Sequence, residues 1–188
     1  MSGKKRVREA RLSRQTKETK IEVVLKIDGS GASKVDLPDE FLRHMVETLA
    51  KYSGVDLKIS ATGDIAHHLI EDVAIALGRA YREALGDMPI KRIGSATVPM
   101  DEALAHVSLD LIDRPFAHLE LPDLMYEHFL RSFAMELRAT LHTMVLRGKD
   151  GHHIVEATFK ALGLALKGAM APADVTLSTK SGVKWRTK

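Results

Sequence analysis

Apolar and polar positions change period several times along the chain, and each change marks an element. Thr19 to Ile27 alternates apolar with polar residues and is rich in β-branched side chains, so it predicts a half-buried strand that turns at Asp28-Gly29-Ser30-Gly31 into a hairpin. Asp39 to Lys51 shifts to the helical period. Val55 to Ala61 returns to strand spacing, and Ala66 to Gly86 carries Ile70, Val73, Leu77 and Tyr81 at helical intervals, with Gly86 as its stop. Beyond Pro89 the pattern predicts strands at Ile93 to Val98, Ala105 to Leu111 and Ala117 to Leu121, and a helix from Tyr126 to Met135. A strand from Ala139 to Leu146 and a helix from His152 to Met170 follow, and the residues from Pro172 onward read as loop. Strands and helices intersperse without the regular βαβ rhythm of a parallel sheet, which predicts an α+β fold with helices on antiparallel-rich sheets.

Part of this pattern is written twice. His67-His68-Leu69-Ile70-Glu71 returns 85 residues later as His152-His153-Ile154-Val155-Glu156. The likeness extends to Ala76-Leu77-Gly78 and Ala161-Leu162-Gly163, with Gly63 and Gly148 upstream, and Phe41-Leu42-Arg43 repeats as Phe129-Leu130-Arg131 at a spacing of 88. Such self-similarity implies two similar halves from an internal duplication, each a small antiparallel-rich sheet packed with helices. Their expected bounds are 16–89 and 90–171, with a basic arm over 1–15 and a tail over 172–188.

The repeated segment is shaped for metal. On a helix, adjacent residues point about 100° apart, whereas i, i+3 and i+4 share a face. Two neighbouring histidines therefore cannot easily serve one ion, yet either can join Glu71 or Glu156, which implies two metals per site. Imidazole nitrogen with carboxylate oxygen suits Mn, Fe, Co, Ni or Zn, and the lack of thiolates argues against a closed structural zinc site. His106, His118 and His128 lie outside the repeat and read as ordinary histidines.

Composition narrows the function class. A chain of 188 residues, 45% hydrophobic and 28% charged, can bury a real core. It holds no apolar run near the roughly 18 residues that span a bilayer and opens on no secretory signal, so a cytoplasmic protein is expected. The absence of cysteine excludes disulfides and redox thiols. A net charge of +3 and a pI of about 9.1 raise nucleic acid as a partner. The excess is concentrated in Lys4, Lys5, Arg6, Arg8, Arg11, Arg14 and Lys17, however, with no interleaved aromatic residues to stack bases. That segment reads as a solvated arm, and neither nucleic acid nor membrane is an expected partner.

Ordered segments then carry a family resemblance. Arg14-Gln15-Thr16-Lys17-Glu18-Thr19, His44-Met45, Gly63-Asp64 with His67-His68 and Glu71-Asp72, and Pro99-Met100-Asp101-Glu102 come first. Arg114-Pro115, Leu141-His142, His152-His153 with Glu156 and Phe159-Lys160-Ala161, and Ser178-Thr179-Lys180 complete the series. From about Arg11 to Lys180 the chain resembles the imidazoleglycerol-phosphate dehydratases of histidine biosynthesis. The resemblance implies a hydro-lyase that converts imidazole glycerol phosphate to imidazole acetol phosphate. It also implies two Mn2+ per active site and a homo-oligomer of 24 subunits with intersubunit sites.

Carried over by position, it implies metal ligands His44, His67, His68 and Glu71 from the first half, and His142, His152, His153 and Glu156 from the second. Glu18 takes an acid/base role with Glu156 as a second candidate, while Arg92, Arg114, Lys160, Ser178 and Lys180 hold the substrate phosphate. Arg43, Thr48 and Tyr52 depart from the family pattern, Arg43 by replacing an acidic neighbour of His44. Two other classes fit the residues alone: a different di-metal enzyme, or a non-catalytic scaffold cemented by metal.

Overall fold

The computed structural model describes residues 7–175, 177 and 178. Within them the chain runs β1 (Glu9–Gln15), β2 (Thr19–Lys26), β3 (Ser33–Asp36), α1 (Glu40–Ser53), β4 (Asp56–Gly63) and α2 (Ala66–Leu85). The same order repeats as β5 (Ile93–Met100), β6 (Ala103–Asp110), β7 (Phe116–His118), α3 (Leu124–Leu137), β8 (Thr140–Arg147) and α4 (Gly151–Ala169). Each half builds a four-stranded sheet, ordered β1-β2-β4-β3 and β5-β6-β8-β7. In each, three strands are antiparallel and the short edge strand runs parallel to its neighbour. The predicted α+β fold with two similar halves is what forms.

Local chemistry explains the elements. In β2, Thr19, Ile21, Val23 and Leu25 point inward while Lys20, Glu22 and Lys26 point out, the alternation of a strand with one face on the core. Asp39 caps α1 by accepting the Leu42 N–H at 2.7 Å, and Asp123 caps α3 by accepting those of Met125 and Tyr126. The two helices also end alike, on residues in the left-handed region: Gly54 at φ 75° and Arg138 at φ 59°.

The helices lie between the sheets and pack across the halves, α2 against α3 and α1 against α4. Two repeated glycines permit the approach. A Cβ on Gly78 would sit 2.5 Å from the Phe133 carbonyl oxygen, and one on Gly163 would sit 2.6 Å from Tyr52 Cβ. Tyr81, Phe129, Phe133, Phe159, Leu42 and Leu77 fill a single core shared by both halves.

Three expectations need correction. Residues 9–15 of the supposed arm are strand β1, and its described cations Arg8, Arg11 and Arg14 are paired. Buried Arg8 donates to Asp28 Oδ2 at 2.9 Å and to the Met170 carbonyl at 2.6 Å, and Arg14 pairs with Asp72 at 2.6 Å. After β2 the chain makes no hairpin. β3 lies at the far edge beyond β4, and α1 makes the crossover between these parallel neighbours. Finally, the edge strand near Ala117 is Phe116–His118, shorter and earlier than Ala117 to Leu121.

Candidate active site

The cross-half packing brings together two triads of metal-ligand type. His44 of α1 meets His152 and Glu156 of α4, with both Nε2 atoms close to Glu156 Oε2, at 3.3 Å and 3.4 Å. His128 of α3 meets His67 and Glu71 of α2, their Nε2 atoms 3.5 Å and 4.0 Å from Glu71 Oε2. In each triad the ligand atoms all lie within 4.8 Å of one another. Helical spacing explains the local part, since His67 with Glu71 and His152 with Glu156 are i, i+4 pairs on one face. The third member arrives only through helix packing.

Grouping the residues by halves therefore does not hold: each triad draws on both. His142 joins neither triad. The alternation of β8 turns Leu141 and Thr143 inward and His142 onto the exposed outer face, where its ring lies 5.6 Å from that of Phe116 and 5.9 Å from that of His118. The residue in the matching place is His128, first read as ordinary. Its signal was present, because Asp39 precedes His44 by the same five positions as Asp123 precedes His128, at an offset of 84. The Phe-Leu-Arg repeat at 88 set the helices one turn out of register.

The second histidine of each pair turns away. The rings of His67 and His68 are at 90°, and those of His152 and His153 at 88°. His68 Nδ1 lies 2.8 Å from Asp64 Oδ1 and 3.6 Å from Glu18 Oε2, while His153 Nδ1 lies 2.7 Å from Glu102 Oε2. The Asp64 hydrogen bond raises the His68 pKa, and the Glu102 hydrogen bond raises that of His153. Glu102 is pulled down to about 2, first by the Asp150 backbone N–H and then by His153 and the Lys149 N–H. A carboxylate on Nδ1 fixes the ring and turns Nε2 toward an outside partner, although in this chain His153 Nε2 also lies 3.5 Å from Oδ2 of exposed Asp101. Asp64 and Glu102 were not among the expected site residues. They do not occupy matching places, since Glu102 corresponds to Glu18 and Asp64 to Lys149, but both stand in the segments Gly63-Asp64 and Pro99-Met100-Asp101-Glu102 that carry the family resemblance.

Glu156 is 7% exposed and its Oε1 lies 2.8 Å from Lys160 Nζ. Burial pushes its carboxyl pKa up, but hydrogen bonds from Lys160 and His44 outweigh burial and hold it below the ordinary value. Lys160 lies over the Tyr52 ring at 5.8 Å and reaches Met100 Sδ, so it sits inside the α4 site. Among the other expected phosphate contacts, Arg92 pairs with Asp110 and donates to the Leu177 carbonyl, beside Ser178. Arg114 is exposed, and Lys180 lies outside the described residues. Arg43 pairs with Glu40 at 3.4 Å, and Thr48 is buried.

Donor chemistry fits a divalent first-row metal in both triads: two imidazoles and one carboxylate, with no thiolate. His128 Nε2 adds a specific sign, being buried without a hydrogen-bond partner among the described residues. No described helix is long and apolar enough to cross a membrane.

Comparison with known proteins identifies the family. A family model described as imidazoleglycerol-phosphate dehydratase matches residues 38–166. The imidazoleglycerol-phosphate dehydratase of Saccharolobus islandicus is 46% identical, over 94% of this chain and 98% of its own length. That of Kineococcus radiotolerans is 44% identical over 88% and 92% respectively. Among crystal structures, the Pyrococcus furiosus enzyme superposes with a TM-score of 0.83 at 39% identity, covering 92% of this chain and 100% of that one. The Staphylococcus aureus enzyme superposes at 0.79 with 30% identity, covering 88% and 99%. The chain belongs to the imidazoleglycerol-phosphate dehydratase family, the hydro-lyases of histidine biosynthesis.

Proposed function

We propose that this protein dehydrates imidazole glycerol phosphate to imidazole acetol phosphate in the cytoplasm, with two manganese ions per active site. The observation that carries the metal reading is the pair of matching triads, His44-His152-Glu156 and His67-Glu71-His128, each converging three nitrogen or oxygen donors. Each triad holds one ion. His68 and His153, turned away from the triads of their own chain, supply a fourth donor to neighbouring copies. That arrangement accounts for a homo-oligomer with intersubunit sites, of 24 subunits by family resemblance. His142 has no ligand role in this scheme.

Held by these triads, divalent ions would supply Lewis acidity toward the substrate's imidazole and hydroxyl groups. Glu18 takes the carbon-bound proton: its side chain is 54% exposed and stands 3.6 Å from His68 Nδ1, beside the donor that His68 would offer to a neighbouring copy's site. Glu156, buried and paired with Lys160, holds metal rather than shuttling protons. Arg92 and Ser178, joined through Leu177, receive the phosphate together with Arg114 and Lys180. Lys160 steadies Glu156 and can reach the phosphate only if that pair opens.

The test is turnover of metal-stripped protein on imidazole glycerol phosphate with manganese added back. Manganese-dependent product, abolished by Glu18→Gln at unchanged metal content, supports the proposal. A protein that binds metal and assembles but yields no product would overturn it in favour of a scaffold.

A further inference from the structure

The two halves differ beside Glu18. Buried Asp72, 6% exposed, follows the ligand Glu71 and reaches back to the first sheet. Its Oδ1 accepts from Arg14 Nε at 3.1 Å and Nη2 at 2.6 Å, and its Oδ2 accepts from the hydroxyl of buried Thr19. The Thr19 hydroxyl is 3.2 Å from that of Thr16, whose oxygen accepts the N–H groups of Glu18 and Thr19 at 3.1 Å and 3.0 Å. The turn is closed by the Thr16 N–H on the Thr19 carbonyl, and the Glu18 carbonyl accepts the Asp64 N–H at 3.1 Å. A continuous set of bonds thus runs from α2 to the backbone on either side of Glu18.

The fold itself does not need this set. At the matching positions the second half has Val98 for Arg14, Ala103 for Thr19 and Ala157 for Asp72, all buried, and the same sheet closes on the same helix. Replacing a buried ionic group by well-packed apolar residues is often neutral or stabilising, so a buried carboxylate kept in one half alone calls for a purpose beyond stability.

The purpose follows from what each turn carries. Glu102, the counterpart of Glu18, is tied by its own side chain to the backbone N–H groups of Lys149 and Asp150 and to His153. Glu18 is held through its backbone, leaving its carboxylate exposed 3.6 Å from His68. We infer that Asp72, acting through Thr19 and Arg14, is a positioning residue that sets Glu18 against the metal ligands of α2. This rests on the reading of Glu18 as the proton-transfer group.

The test uses full-length enzyme reconstituted with manganese. Asp72→Asn and the combined Arg14→Val, Thr19→Ala, Asp72→Ala, which copies the second half, are compared for kcat, KM, bound manganese and thermal midpoint. A misplacement of about 1 Å costs on the order of 10²-fold in rate. The expected result is kcat down by about 10- to 100-fold, with KM and manganese content retained. Any slow rate that survives in a Glu18→Gln enzyme, read in single-turnover assays at high enzyme concentration, should fall no further when Asp72→Asn is added. Wild-type kcat in both variants, or a loss of equal size with and without Glu18, overturns the positioning role. Full turnover by Glu18→Gln alone overturns the proton-transfer reading instead, and with it what Asp72 would position.

Discussion

Replacing Lys160 with methionine keeps most of the length and volume of the side chain while deleting the cation 2.8 Å from Glu156 Oε1. At an effective dielectric constant of about 20, that separation corresponds to an attraction of about 6 kcal/mol before desolvation. Breaking a buried pair by removing one partner costs about 3–5 kcal/mol, because the remaining charge stays buried. Lys160 is 14% exposed, and His44 and His152 remain within 3.4 Å of the other carboxylate oxygen, so part of the charge is still met. The expected destabilisation of metal-free protein is therefore about 2–3 kcal/mol. In urea denaturation with metal chelated, this moves the midpoint down by about 1 M. Manganese should narrow the difference, since a divalent cation on Glu156 replaces the missing charge. An unchanged midpoint with a raised KM would refute the reasoning and return Lys160 to a pure phosphate contact.

If each triad binds one ion as proposed, His128→Ala should halve the metal content per chain, whereas His142→Ala should leave it at the wild-type level; equal metal content measured by atomic emission in the two variants would count against the triads. Gly78→Ala gains about 1 kcal/mol of helix propensity but drives a Cβ against the Phe133 carbonyl, so a net loss of about 1–3 kcal/mol is expected in chemical denaturation. Asp56 has its pKa lowered from 3.8, first by the Ser30 backbone N–H. Its stabilising contribution is present above that ordinary value and lost as pH falls through the lower folded one. Asp56→Asn should therefore be less stable than wild type near pH 6, and the difference should shrink below about pH 3.8; a gap that widens in acid would contradict the assignment.

What the sequence revealed follows from how local each signal is. Helices α2 and α4 run 20 and 19 residues with an unbroken apolar stripe, so periodicity finds them and the i, i+4 His-Glu pairs they carry. Strand β1 escapes because its inward row is Ala10, Leu12 and Arg14, with too little apolar weight to outbid its charges, and β3 offers only Val35 as an apolar residue. The third member of each triad is set by packing between helices far apart in sequence, which no spacing within one helix encodes. Its one trace, the aspartate cap five residues ahead of His44 and of His128, is a capping signal rather than a metal signal.

The exchange of helices between halves bears on the history of the chain. The contacts α1 with α4 and α2 with α3 are one self-complementary interface used twice, the arrangement of two identical subunits about a twofold axis. A half-length chain with His44, His67 and Glu71 could close a triad only by lending its first helix to a twin. The duplicated protein is thus a dimer written as a single sequence. Its two triads are free to diverge, one turn keeping a free carboxylate and the other tying it down, without loss of the symmetry that assembles them.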